Sequence, residues 1–105
     1  MSKDKRLTLH SKLIEILGSE NVYFQPPESV KMKYPCIRYV KQRPLVEHAD
    51  NMKYFKKDRY ELTVIDPDPD TDIPDRLVES LEPYCSIDRY YTADNLNHCA
   101  LELYY

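Results

Sequence analysis

Glycine is almost absent from this chain: Gly18 stands alone among 105 residues. A P-loop and a dinucleotide fingerprint each need several glycines for the backbone to approach phosphate closely, so nucleotide-dependent enzymes of both kinds are excluded. No stretch approaches the roughly 18 apolar residues of a membrane span. The opening residues, Met1 to Arg6, are charged rather than apolar, so no secretion signal is expected and the protein should be made and kept in the cytoplasm. An excess of basic charge is also missing. Fifteen Lys and Arg against eighteen Asp and Glu leave a net charge of −3, which gives no field to hold nucleic acid through its phosphates.

Cysteine is sparse and unpaired in spacing. Cys36, Cys85 and Cys99 are odd in number and lie far apart, so without an oxidising compartment they read as reduced core thiols. Together with His98 they could be imagined as zinc ligands, but structural zinc sites use closely spaced pairs that present two ligands at once. On a strand, adjacent His98 and Cys99 would also point to opposite faces.

Hydrophobic residues make up 42% of the chain, enough for one core and no separate catalytic lobe. Ten tyrosines exceed what a core of this size hides. Tyrosine favours interfaces because its ring is apolar while its hydroxyl stays bonded, so the composition points to a protein that binds proteins.

Leu9, Leu13, Ile16 and Leu17 share one helical stripe with Lys12 and Glu15 turned to water, predicting a helix over 4–17 that Gly18 closes in the left-handed conformation. Residues 21–25 form a short β-prone run stopped by Pro26 and Pro27, which suits an edge strand. Alternation over 34–42 and 59–66 predicts two strands that pair, the second with Tyr60, Leu62 and Val64 on its buried side. The Asp/Pro run from Asp66 to Asp72 must be a loop, and Asp72 with Pro74 and Asp75 starts a second helix that buries Ile73, Leu77 and Leu81. After Pro83, residues 85–92 and 97–105 read as a hairpin joined by Ala93, Asp94, Asn95 and Leu96. The expected class is α+β: a single domain with a mostly antiparallel sheet of four to five strands and two helices packed on one face.

The connection over 43–58 is too long for a tight hairpin and interleaves Tyr54 and Phe55 with Lys53, Lys56 and Lys57. It is the leading interaction element, read as a protein-contact arm. A single-strand nucleic-acid platform would use the same residue types, but Asp50, Asp58 and Glu61 weaken the local field, and a plain solvated loop is the third reading. Tyr104 and Tyr105 complete the candidate interface residues.

Catalytic constellations are weak. Asp66, Asp68 and Asp70 match the opening spacing of a calcium loop, yet position six is Thr71 rather than glycine and position twelve is Leu77 rather than glutamate. His10, His48 and His98 fall on a helix, a loop and a strand, and none belongs to a nucleophile motif. No enzyme activity and no cofactor are therefore expected.

Leu13-Ile-Glu-Ile-Leu17, Tyr34-Pro-Cys-Ile-Arg-Tyr39, Tyr60-Glu-Leu-Thr-Val-Ile-Asp66 and Asp88-Arg-Tyr-Tyr-Thr-Ala-Asp-Asn-Leu-Asn-His98 are spread in that order along nearly the whole chain. Their order is similar to that of small siphophage tail proteins, the tail terminators and the tail-completion, or tail-to-head joining, proteins. The resemblance implies a structural subunit of the virion neck or tail, assembled in the host bacterial cytoplasm. It further implies a homo-hexameric ring that meets the tail tube protein and the head-completion or connector protein and passes DNA through its lumen without sequence-specific binding. The competing readings are a small enzyme or enzyme accessory, and a monomeric phage-encoded adaptor or inhibitor of a host protein.

Overall fold

The stripe of leucines recurring every four residues does form a helix, α1 (Ser2–Leu17), in the computed structural model, which describes residues 2–43 and 57–105. Leu9 and Leu13 are completely buried and Leu17 nearly so. Gly18 takes φ +84°, a conformation that costs a residue without Cβ little, and the helix stops there.

The chain then enters β1 (Val22–Phe24), a three-residue strand that pairs in parallel with β2 (Cys36–Gln42). Gln25 leaves the strand at φ 43°, and its amide N–H still donates to the Tyr39 carbonyl at 2.9 Å. The two prolines behind it cannot donate to a ladder, so β1 stays short. β2 and β3 (Arg59–Asp66) are antiparallel over their whole length, from Cys36 opposite Ile65 to Gln42 opposite Arg59.

The second helix, α2 (Ile73–Ser80), begins after Asp72 with Pro74 in its first turn. Thr71 Oγ1, not the Asp72 side chain, accepts the first free amide, from Ile73 at 3.3 Å. The helix ends at Ser80, short of Pro83. The terminal hairpin, β4 (Cys85–Ala93) and β5 (Leu96–Tyr104), is tighter than the sequence spacing suggests: only Asp94 and Asn95 lie between the strands. Both have positive φ, 55° and 63°, which is what a two-residue turn compatible with strand twist requires and what Asp and Asn tolerate.

The strands form one sheet in the order β1-β2-β3-β5-β4, antiparallel except for the β1–β2 pair. Ile37, Tyr39, Tyr60, Leu62, Val64, Cys99, Leu101 and Leu103 cover one face of it. Those residues meet the buried stripes of both helices in a single core, so the class is α+β with both helices on one side. The three cysteines are free and buried, and burial pushes each thiol up to about 11. Among the described residues, no helix is long and apolar enough to cross a membrane.

Tyr39 sits where α1, β1 and the sheet meet. It is completely buried, edge-on to Tyr60 with centroids 5.9 Å apart, and against Phe24 at 4.9 Å. Its hydroxyl lies 2.7 Å from His10 Nδ1 and accepts a longer bond, 3.4 Å, from Arg6. Burial first, and the Arg6 guanidinium second, lower the His10 pKa from its ordinary value. A neutral His10 with its proton on Nε2 would accept a hydrogen bond from the Tyr39 hydroxyl at Nδ1.

Candidate protein interface at the base of the long connection

Because β2 and β3 stay paired as far as Gln42 and Arg59, the 43–58 connection springs from the end of the sheet. Of its predicted contact residues, Lys53, Tyr54, Phe55 and Lys56 lie outside the described residues. Lys57, Tyr104 and Tyr105 lie inside them, and the fold brings all three to that end of the sheet.

The chain returns from the connection as a short ladder: Asp58 N–H donates to the Tyr105 carbonyl and Tyr105 N–H to the Asp58 carbonyl, each at 2.9 Å. Tyr104 is opposite Arg59 in the β3–β5 register. The Lys57 ammonium lies 4.5 Å from the centroid of the Tyr84 ring, and Lys12 of α1 lies 5.8 Å from that of Tyr105. Both are within range of the attraction between a cation and a ring face. Lys57, Tyr84, Tyr104 and Tyr105 are all half-buried, so each keeps part of its surface open to a partner.

Charge around this end is matched locally. Arg59 Nε donates to Glu102 at 2.7 Å, and Arg59 Nη1 donates to the Arg43 carbonyl at 3.0 Å. Lys41 and Asp58 are 3.7 Å apart. Glu61 is directly opposite Glu102, a like-charge pair that is unfavourable across strands, and the Arg59 bond to Glu102 offsets it. A cleft of about 250 Å³ next to these groups is lined by Arg59, Glu61, Ser86, Asp88 and Glu102. Its one cation already holds one of its carboxylates, an arrangement suited to structure. Among the described residues no group of three or more His, Cys, Asp and Glu side chains converges as a metal site.

The aspartate run is likewise engaged with its own backbone. Asp66 Oδ1 accepts from Asp68 N–H at 2.8 Å, and Asp68 Oδ1 accepts from Asp70 N–H at 2.9 Å. These are the local turns that short polar side chains favour. His98 packs on Tyr91 with rings nearly parallel and centroids 4.8 Å apart, and the Arg89 guanidinium is 5.2 Å from the Tyr91 centroid.

Two contact-prone features escaped the sequence reading. Tyr84 precedes β4 and reads as loop, yet it caps Lys57 across the sheet end. Tyr90 and Tyr91 are the more informative miss: they are 67% and 38% exposed, on a strand with only one neighbour. Adjacent aromatics on one strand must take opposite faces, and a core could bury at most one of them. That was the available signal.

Comparison of the chain with protein-family models, with curated proteins and with solved structures finds no match in any of the three.

Proposed function

We propose that this chain is a non-enzymatic structural subunit of a bacteriophage neck or tail end, a tail terminator or tail-completion protein. Its copies form a hexameric ring that ends the tail tube and joins it to the connector. The observation that carries this reading is where the 43–58 connection is rooted: β2 and β3 are paired as far as Gln42 and Arg59, so its two ends lie together at one end of the sheet. A contact element rooted there, together with the unlike β1 and β4 edges of the sheet, would supply the different patches a closed head-to-tail ring needs. The order of sequence segments supports the same reading, and the net charge of −3 suits a lumen that passes DNA without gripping it.

Light scattering over a concentration series, followed by negative-stain imaging, tests this reading. The expected species is a ring of about six copies of the 12.5 kDa chain, alone or on added tail tubes. Tyr54→Ala and Phe55→Ala should each abolish assembly while leaving the circular dichroism spectrum unchanged. A chain that stays monomeric and fails to bind tail tubes would favour the adaptor reading instead.

A further inference from the structure

Among the described residues, large exposed hydrophobics gather at the two opposite edges of the sheet. Tyr90 and Tyr91 stand on β4 at one edge. Val30, 38% exposed, and Tyr34, 40% exposed, stand beside β1 at the other, in the connection that returns from β1 to β2. Leu7 on α1 is the remaining one.

Each edge also offers backbone for pairing. Among the described residues β4, a nine-residue strand, is hydrogen-bonded only to β5; it has neither proline nor lysine, and its bulge and its charges, Asp88 and Arg89, lie ahead of Tyr90 and leave residues 90–93 as the open stretch. Tyr90 and Tyr91 point to opposite faces there and flank that free side. At the β1 edge, Val30-Lys31-Met32-Lys33 alternates apolar and basic residues as a strand does, yet lies outside the sheet. Its backbone is held at its ends, where Val30 N–H donates to the Pro27 carbonyl at 3.1 Å and Lys33 N–H to the Tyr23 hydroxyl at 3.1 Å. Between them, neither Lys31 nor Met32 makes a hydrogen bond to another described backbone group.

The charges are complementary. Residues 26–35 carry Lys31 and Lys33 against Glu28, whereas residues 85–97 carry Asp88 and Asp94 against Arg89. One edge is therefore positive by one charge and the other negative by one.

We infer that the Val30–Lys33 segment of one copy adds as a sixth strand to the β4 edge of the next, with Tyr90 and Tyr91 closing over it from the two faces. This inference rests on the ring reading and names the surfaces through which its subunits meet. The two edges differ, so the contact is head-to-tail and each copy uses both. Main-chain bonds supply affinity and the alternate side chains supply register, as in other cases of strand addition.

Disulfide exchange between variants that each add one exposed cysteine to the three buried ones tests it, with the wild type as the background for the native thiols. Lys31→Cys and Tyr91→Cys proteins are purified, mixed and mildly oxidised, alongside a control mixture of Lys31→Cys with Glu79→Cys on the exposed side of α2. The expected result is a mixed disulfide dimer of Lys31→Cys with Tyr91→Cys, formed at least about tenfold faster than in the control, the equivalent of roughly 1.4 kcal/mol of preferred contact. The double variant should give a ladder of products. Tyr91→Cys dimerising with itself equally fast would overturn the inference, since the β4 edges would then pair with each other. Rings seen by light scattering without the mixed product would overturn these surfaces and leave the ring reading standing. Monomer at every concentration, with and without added tail tubes, and no mixed product would overturn both. Tyr90→Lys, with its melting temperature retained, should weaken assembly at least about tenfold, whereas undiminished assembly would count against the β4 edge.

Discussion

Replacing Tyr39 by Phe removes one oxygen atom from the crowded junction of α1, β1 and the sheet and leaves every ring contact in place. The lost hydroxyl sits 2.7 Å from His10 Nδ1 and 3.4 Å from an Arg6 nitrogen. The first distance is that of a strong bond and the second that of a weak one. A typical internal hydrogen bond contributes about 1 kcal/mol net, and stranding a buried partner costs roughly 1–3 kcal/mol. His10 and Arg6 are only half-buried, so water can reach them after the change and the cost falls at the low end. The expected loss is about 1–2 kcal/mol, out of the roughly 5–15 kcal/mol that holds a domain of this size together. At about 4–8 °C per kcal/mol the melting temperature should drop by roughly 4–16 °C. Urea unfolding followed by circular dichroism gives the free energy directly, and the slope should match that of the wild type if the native state is otherwise intact. Tyr39→Ala, which also removes the ring, should cost about 3–5 kcal/mol. If Tyr39→Phe is within about 0.3 kcal/mol of the wild type, the His10–Tyr39–Arg6 arrangement contributes nothing beyond packing and the reasoning fails.

Three further outcomes follow from the same structure. Because the folded His10 pKa lies below 6.5, the unfolded chain takes up the proton more readily; the His10 contribution is complete above that value and is lost as pH falls through the folded pKa. His10→Gln should therefore flatten the fall in stability between about pH 7 and pH 5, measured by urea midpoints. Burial holds the Cys36, Cys85 and Cys99 thiols at about 11, so a thiol-reactive disulfide reagent at pH 8 should label them at the rate of global unfolding and label all three quickly in denaturant. A Cβ added at Gly18 would meet nothing within 4 Å, so Gly18→Ala should cost only the strain of its φ of +84°, about 1–2 kcal/mol by chemical denaturation.

Periodicity made the helices and central strands readable because each has one buried face. Arg59–Asp66 stands where its alternation puts it, and Leu9, Leu13 and Leu17 line the core as their spacing requires. What the pattern could not carry was partner order. Nothing in Val22-Tyr23-Phe24 announces that β1 pairs in parallel with β2, a choice made by the long return of the chain over 25–35. The hairpin turn was misjudged by one residue on each side because Ala93 and Leu96 pair with each other and extend both strands. At the candidate interface, composition and chain position point to Lys57, Tyr104 and Tyr105. Their meeting at one end of the sheet depends on β3 and β5 being neighbours, which only the tertiary pairing decides. The β4 edge went unnoticed for the same reason: a strand is an edge only by virtue of what fails to pair with it.

The β4 ladder against β5 slips by one residue between Ile87 and Arg89, so Asp88 is extra. Ahead of the slip, Cys85 and Ile87 face the helices. Beyond it the alternation is reset, placing Tyr90 opposite Cys99 and Tyr91 opposite His98. A single β-bulge thus separates one strand into two stretches under different structural constraint. The first must keep volumes that the core accepts. The second is exposed and holds surface contacts, such as that of Tyr91 with His98, so residues 89–92 can change what the strand recognises at less cost to folding than the buried positions ahead of the slip.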